Sequence, residues 1–110
     1  MASRKGRSTE GYGKRVLEID DAYSVRYFTC LALSDAGYNV FSADDGSEGL
    51  QQMKKRRYNI VLVDYNMPRV SGGQFIDIAR VQWPDTPIIL MFGDFRISGQ
   101  VGRLRGYMHA

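Results

Sequence analysis

Four short, strongly apolar runs, each separated from the next by a longer stretch of different period, constrain this chain more than any other feature. The runs are Val16-Leu17-Glu18-Ile19, Val40-Phe41-Ser42-Ala43, Ile60-Val61-Leu62-Val63 and Ile88-Ile89-Leu90-Met91-Phe92. Each has the length of a strand, and the third is a near-continuous β-branched run of the kind found in parallel strands covered on both faces. Between the first two, Val25, Phe28, Ala32 and Ala36 recur at i, i+3, i+7 and i+11. That spacing predicts an amphipathic helix, which Gly37 ends because a left-handed C′ conformation costs glycine little.

Asp44-Asp45-Gly46-Ser47 reads as a turn and helix start, and the helix that follows carries Leu50 and Met53 and ends in Lys54-Lys55-Arg56-Arg57. That basic run stands where the helix dipole favours cations, so a solvated last turn is its plain reading and a phosphate patch the alternative. Gly72-Gly73 opens a third helix with Phe75, Ile76 and Ala79 on one face, and Trp83-Pro84-Asp85-Thr86-Pro87 is a loop before the fourth run. Residues 97–105 contain two glycines, which allows only a short helix, and Tyr107-Met108-His109 begins a fifth strand.

Strands alternating with helices imply βαβ units, right-handed crossovers and a parallel sheet with helices on both faces. Ligands of such sheets bind beyond the carboxyl ends of the strands. The residues to interrogate are therefore those directly after each run: Asp20-Asp21, Asp64 and Phe92-Gly93.

Composition narrows the remaining choices. The 110 residues, 44% hydrophobic and 25% charged, suit one compact domain, and the longest apolar run, residues 88–92, is far too short to span a bilayer. A single cysteine, Cys30, excludes an intrachain disulfide framework, and no Cys/His cluster offers a zinc site. No apolar signal segment follows Arg4, Lys5 and Arg7, so a cytoplasmic location is expected. The net charge of +3 is unevenly spread, with +4 in residues 1–15 and −1 in the remaining 95. Residues 1–14 therefore read as a flexible basic arm or an expression-vector remnant, and the charge is a poor argument for nucleic acid.

Two adjacent carboxylates at one strand end and a third at another would converge if the strands are neighbours. Three such groups a few ångströms apart repel one another unless a cation sits among them, and hard oxygen ligands select Mg²⁺ or Mn²⁺. Taken singly, each acid has a plain reading: Asp21 as a cap of the first helix, Asp64 as a cap of the turn after its strand.

Residues 15–21 (Arg-Val-Leu-Glu-Ile-Asp-Asp), 36–40 (Ala-Gly-Tyr-Asn-Val), 43–50 (Ala-Asp-Asp-Gly-Ser-Glu-Gly-Leu), 59–68 (Asn-Ile-Val-Leu-Val-Asp-Tyr-Asn-Met-Pro) and 71–73 (Ser-Gly-Gly) together resemble the receiver domain of bacterial two-component response regulators. The match runs in register from about Arg15 to Gly93. The resemblance implies a flavodoxin-like, doubly wound parallel α/β sheet of strand order 2-1-3-4-5. It makes Asp64 the phosphoacceptor, a carboxylate nucleophile that takes a phosphoryl group from a kinase phosphohistidine. Asp20, Asp21, Asp64 and the backbone carbonyl of Asn66 would hold Mg²⁺. Met67-Pro68 would fix the loop, and Gly72 would permit a tight approach before the third helix. The implied partners are a sensor histidine kinase or phosphotransfer protein and a downstream protein target, and the domain is a signalling switch rather than a metabolic enzyme.

The chain departs from the family's pattern in three places. Phe92 stands where the family has a Ser or Thr whose hydroxyl meets the phosphoryl group. If Tyr107 is the family's switch aromatic, which requires a shortened fourth helix, the expected Lys falls at Ala110. The closing fifth helix has no counterpart, so residues 15–110 are expected to form a receiver truncated at its C-terminal end, with an apolar patch that favours self-association. Glu18 is an oddity inside a strand that should be apolar on both faces; partial hydration near the acidic end would account for it. A degenerate receiver used only for protein–protein contact is the competing function. Nucleic-acid binding by the arm ranks third, and chemistry on a small metabolite ranks last because no nucleophile–base pair or Gly-rich phosphate loop is present.

Overall fold

The structure, a computed structural model, describes residues 11–67 and 70–91 and the backbone of residues 107–109. The elements are β1 (Arg15–Ile19), α1 (Tyr23–Asp35), β2 (Asn39–Ala43), α2 (Gly46–Lys55), β3 (Ile60–Asp64), α3 (Gly72–Gln82), β4 (Ile88–Met91) and β5 (Tyr107–His109). The sheet order is β2-β1-β3-β4-β5, and the first four strands are parallel. This is the doubly wound order that the resemblance implies.

Strand parity divides the sheet into two faces. Leu17 and Ile19 of β1, Val61 and Val63 of β3, and Ile88 and Leu90 of β4 join Phe75, Ile76 and Ala79 of α3 and Met53 of α2 in one buried cluster. Each fully buried aliphatic side chain there contributes roughly 1.5–3 kcal/mol. The opposite parity of β1 brings Glu18 under α1, whose Arg26 and Cys30 lie within its electrostatic reach.

Helix ends follow local chemistry. Asp45 caps α2 by accepting from Glu48 N–H at 2.8 Å, and Ser71 and Gln74 form a capping box on α3, with Gln74 N–H to Ser71 Oγ at 3.2 Å and Ser71 N–H to Gln74 Oε1 at 2.9 Å. At the end of α1, Gly37 has φ +95°, and the Gly37 and Tyr38 N–H groups donate to the Ser34 and Leu33 carbonyls. This is the left-handed stop expected of that glycine. The same corner anchors residues 11–14: Gly11 N–H donates to Ala36 O, Gly13 N–H to Gly37 O, and Lys14 O accepts from Asn39 N–H.

Two expectations are corrected. The inward stripe of α1 is not Val25, Phe28, Ala32 and Ala36, since Val25 is that helix's one buried residue while Phe28 and Ala32 are exposed. Apolar side chains occur nearly all round this helix, so periodicity offers more than one candidate face, and packing selects the side bearing Val25 and Leu33. The fifth strand takes its expected place but runs antiparallel to β4, with Tyr107 opposite Met91. A parallel strand needs a long crossover, usually helical, whereas an antiparallel one does not, and the preceding sequence is rich in glycine. Phe92, residues 97–105, Pro68 and Ala110 lie outside the described residues, as does the side chain of Tyr107.

Candidate functional site

The parallel register puts the carboxyl ends of β1 and β3 side by side, with Ile19 opposite Val63. Asp20 follows the first strand directly and Asp64 closes the second, so both arrive at one edge of the sheet. Backbone bonds hold them there. Asp20 N–H donates to Ala43 O at 3.1 Å, extending the ladder one residue past β1, and Tyr65 N–H donates to Met91 O at 2.9 Å. Asp20 Oδ1 accepts from Ala22 N–H at 2.8 Å, which turns the chain into α1.

One carboxylate oxygen from each of Asp20, Asp21 and Asp64 lies within 4.8 Å of the others. Asp20 is buried, Asp64 half-buried and Asp21 exposed. The site is therefore open on one side and walled by protein on the other. Burial pushes the Asp64 carboxyl up to about 7, with the Asp20 charge adding to the rise and the N–H of Asn66 opposing it. The Asp20 carboxyl is also raised, first by burial; the Ala22 N–H opposes that rise and the Asp21 charge adds to it. Crowded carboxylates, with the Asp64 proton held near neutrality, are a set of oxygen donors to which a divalent cation is well matched.

The plain readings of these acids fare differently. The N-cap of α1 is Ala22 with no side-chain cap bond, so Asp21 does not cap that helix. Asp64 does receive the Asn66 N–H, but at a long 3.4 Å. Met67 is buried beneath this loop.

Gly72 sets the loop's shape. A Cβ there would lie 2.5 Å from Asp64 O and 2.6 Å from Tyr65 Cα, while its N–H donates to Tyr65 O at 3.0 Å. Gly72→Ala should therefore displace the segment bearing Asp64 and cost roughly 1–3 kcal/mol, as overpacking against backbone does. Chemical denaturation checks the cost, and Mg²⁺ affinity of the variant reports the displacement.

One contributor was not foreseen from sequence. Arg26 Nη1 donates to Asp20 O at 2.7 Å, placing a cation beside the acids. Its signal was a basic residue near the start of a helix whose first turn has no acid, against the dipole. Glu18, an oddity already in the sequence, is fully buried, and neither carboxylate oxygen has a hydrogen-bond partner among the described residues. Burial chiefly, and then the Asp20 charge, push its carboxyl up to about 8, against the lowering effect of Arg26.

An acidic cluster at the carboxyl edge of a doubly wound sheet is a set of oxygen donors suited to a divalent cation, and it narrows the class of protein. Comparison with known proteins specifies it. The response regulator receiver domain matches residues 16–96. The Caulobacter vibrioides cell cycle transcriptional regulator CtrA is 34% identical over 92 residues, covering 84% of this chain and 40% of that protein. The Vibrio cholerae CAI-1 autoinducer sensor kinase/phosphatase CqsS is 38% identical over 84 residues, 74% of this chain and 12% of that protein. The chain thus spans less than half the length of these relatives. Among solved structures, Vibrio cholerae chemotaxis protein CheY4 superposes with a TM-score of 0.68 at 35% identity, over 78% of this chain and 72% of that one. Response regulator TrrA of Thermotoga maritima, determined with Mg²⁺-BeF, gives 0.70 at 32% identity over 72% and 69%. The chain belongs to the response regulator receiver domain family, the signalling domain of two-component systems.

Proposed function

We propose that this receiver domain accepts a phosphoryl group on Asp64 from the phosphohistidine of a sensor kinase or phosphotransfer protein, with Mg²⁺ bound by Asp20, Asp21 and Asp64. The observation that carries this reading is the convergence of three carboxylates within 4.8 Å at one sheet edge. The Asn66 backbone carbonyl is the further ligand we assign. The half-exposed Asp64 is the nucleophile: its carboxylate oxygen forms the new P–O bond as the donor's P–N bond breaks, leaving an acyl phosphate and a neutral imidazole after proton uptake. A bound cation supplies charge neutralisation and alignment of the phosphoryl oxygens. Asp20, buried and fixed by Ala22 N–H, positions the ligand set, while exposed Asp21 leaves the approach open. The acyl phosphate then biases a conformational equilibrium read by a downstream protein.

Incubation with acetyl phosphate and Mg²⁺ tests this. The wild type should take up one acid-labile phosphate, whereas Asp64→Asn should take up none. If both stay unmodified, the degenerate-receiver reading is correct, which Phe92 in place of a hydroxyl residue favours.

Proton competition gives a second test. Because the Asp64 carboxyl sits at about 7 without metal, its proton must leave before a cation binds. Mg²⁺ affinity should rise between pH 6 and pH 8 by about tenfold and then level off, following the fraction of Asp64 ionised. Titration calorimetry at both pH values reads this directly, and an unchanged affinity would contradict it.

A further inference from the structure

At the opposite end of the sheet from the carboxylates lies an open cleft of about 920 Å³. It is formed where β1, β3 and β4 begin. Arg15, Lys54, Lys55, Arg56 and Arg57 line it together with Pro84, Pro87 and the half-buried Trp83, which also packs on the core, and Asp85 is the lone acid of the lining. The α2 dipole accounts for Lys54 and Lys55, which stand in its last turn. Arg56 and Arg57 follow directly at the same helix end, and the dipole does not account for Arg15. Arg15 comes from β1, and its Nη1 donates to Arg57 O at 3.2 Å, which brings two guanidinium-bearing segments together. Arg56 is already engaged: it lies 4.3 Å from the Phe41 ring centroid and donates to Gln52 Oε1 and Tyr58 Oη. Lys54, Lys55, Arg57 and Arg15 are exposed.

We propose that this cleft binds a nucleoside polyphosphate, its phosphate chain on Arg15, Lys54 and Arg57 and its base against Trp83. Three features favour that class. Four exposed cations border one cleft, and a phosphate chain concentrates negative charge over a few ångströms, which a carboxylate peptide cannot match. Guanidinium groups pair with phosphate oxygens in a fixed fork, and an indole gives a planar base a surface to stack on. The cleft has the size of a small-molecule site, about 300–1,000 Å³. Beyond the arm, residues 15–110 carry no net charge, so the body has no long-range field to gather a polymeric anion. This site is independent of Asp64 chemistry.

Trp83 is the only tryptophan of the chain, so its fluorescence reports the cleft alone. The full chain should be titrated with ATP in EDTA, which removes any metal from the acidic end. Saturable change in Trp83 emission is expected, reversed by inorganic tripolyphosphate and not produced by adenosine. Lys54→Ala with Arg57→Ala, both exposed positions, should weaken binding by at least about tenfold with an unchanged circular dichroism spectrum. The proposal is overturned by the absence of a saturable response or by full affinity in the double variant. It is equally overturned if hexaglutamate displaces ATP at a lower concentration than tripolyphosphate does, which assigns the cleft to an acidic peptide. Tighter binding of a six-nucleotide single strand than of ATP would assign it to nucleic acid.

Discussion

Replacing Glu18 with leucine should stabilise the folded chain by about 3 kcal/mol at pH 7, raising the midpoint of thermal unfolding by roughly 10 °C. The physical reason is a buried carboxyl with no hydrogen-bond partner among the described residues, within the electrostatic reach of Asp20, Asp64 and Arg26. Its folded-state pKa of about 8 lies above the ordinary value of 4.5. A folded pKa above the unfolded one means that the folded chain binds the proton more tightly. Stability is therefore fully present below pH 4.5 and declines as pH rises towards 8. Asp20 and Asp64 are shifted in the same direction and add to the decline. Denaturant titrations of the wild type across this range should show stability falling with pH, and Glu18→Leu should flatten the slope markedly. Glu18→Gln, which keeps the polarity and removes the titration, should flatten it without the full gain at pH 5. A wild type as stable at pH 8 as at pH 5 would contradict the burial of an unpartnered acid.

The second large effect concerns the metal. Asp20→Asn should weaken Mg²⁺ binding by at least about a hundredfold, because it removes one anionic ligand from a set of three and the buried one at that. The variant should nonetheless fold and gain stability at neutral pH, since a raised carboxyl is destabilising there when no cation offsets it. Asn also retains an oxygen to accept the Ala22 N–H that opens α1. Calorimetric titration separates the two outcomes: lost affinity with retained stability supports a site built for a cation. Retained affinity would move the metal elsewhere.

How much of this was legible in the sequence depended on whether a residue's environment was local. Phe75, Ile76 and Ala79 of α3 were readable because their i, i+1, i+4 spacing puts them on one helix face, and all three are buried. The acids at the ends of β1 and β3 were readable because strand ends in a parallel sheet share one edge. The face of α1 was not readable: Tyr23, Tyr27, Phe28 and Leu31 give it a second apolar side, and the structure leaves these exposed. Neither was the direction of β5, since pairing sense depends on the path of the connection and not on the strand's own residues. Arg26 was missed, and the surroundings of Glu18 were not readable, for a related reason. Their meaning lies in what β2, β3 and α1 place around them, and nothing within a few residues of sequence announces it.

The central claim is that Asp64 is the phosphoacceptor of a Mg²⁺-dependent receiver. The most direct measurement is to phosphorylate the chain with acetyl phosphate and Mg²⁺, reduce the acyl phosphate with borohydride, and locate the reduced residue by peptide mass spectrometry. A single reduced site is expected, at Asp64, and it should disappear when EDTA replaces Mg²⁺. Reduction at another carboxylate, or none under conditions in which a control receiver is modified, would contradict it.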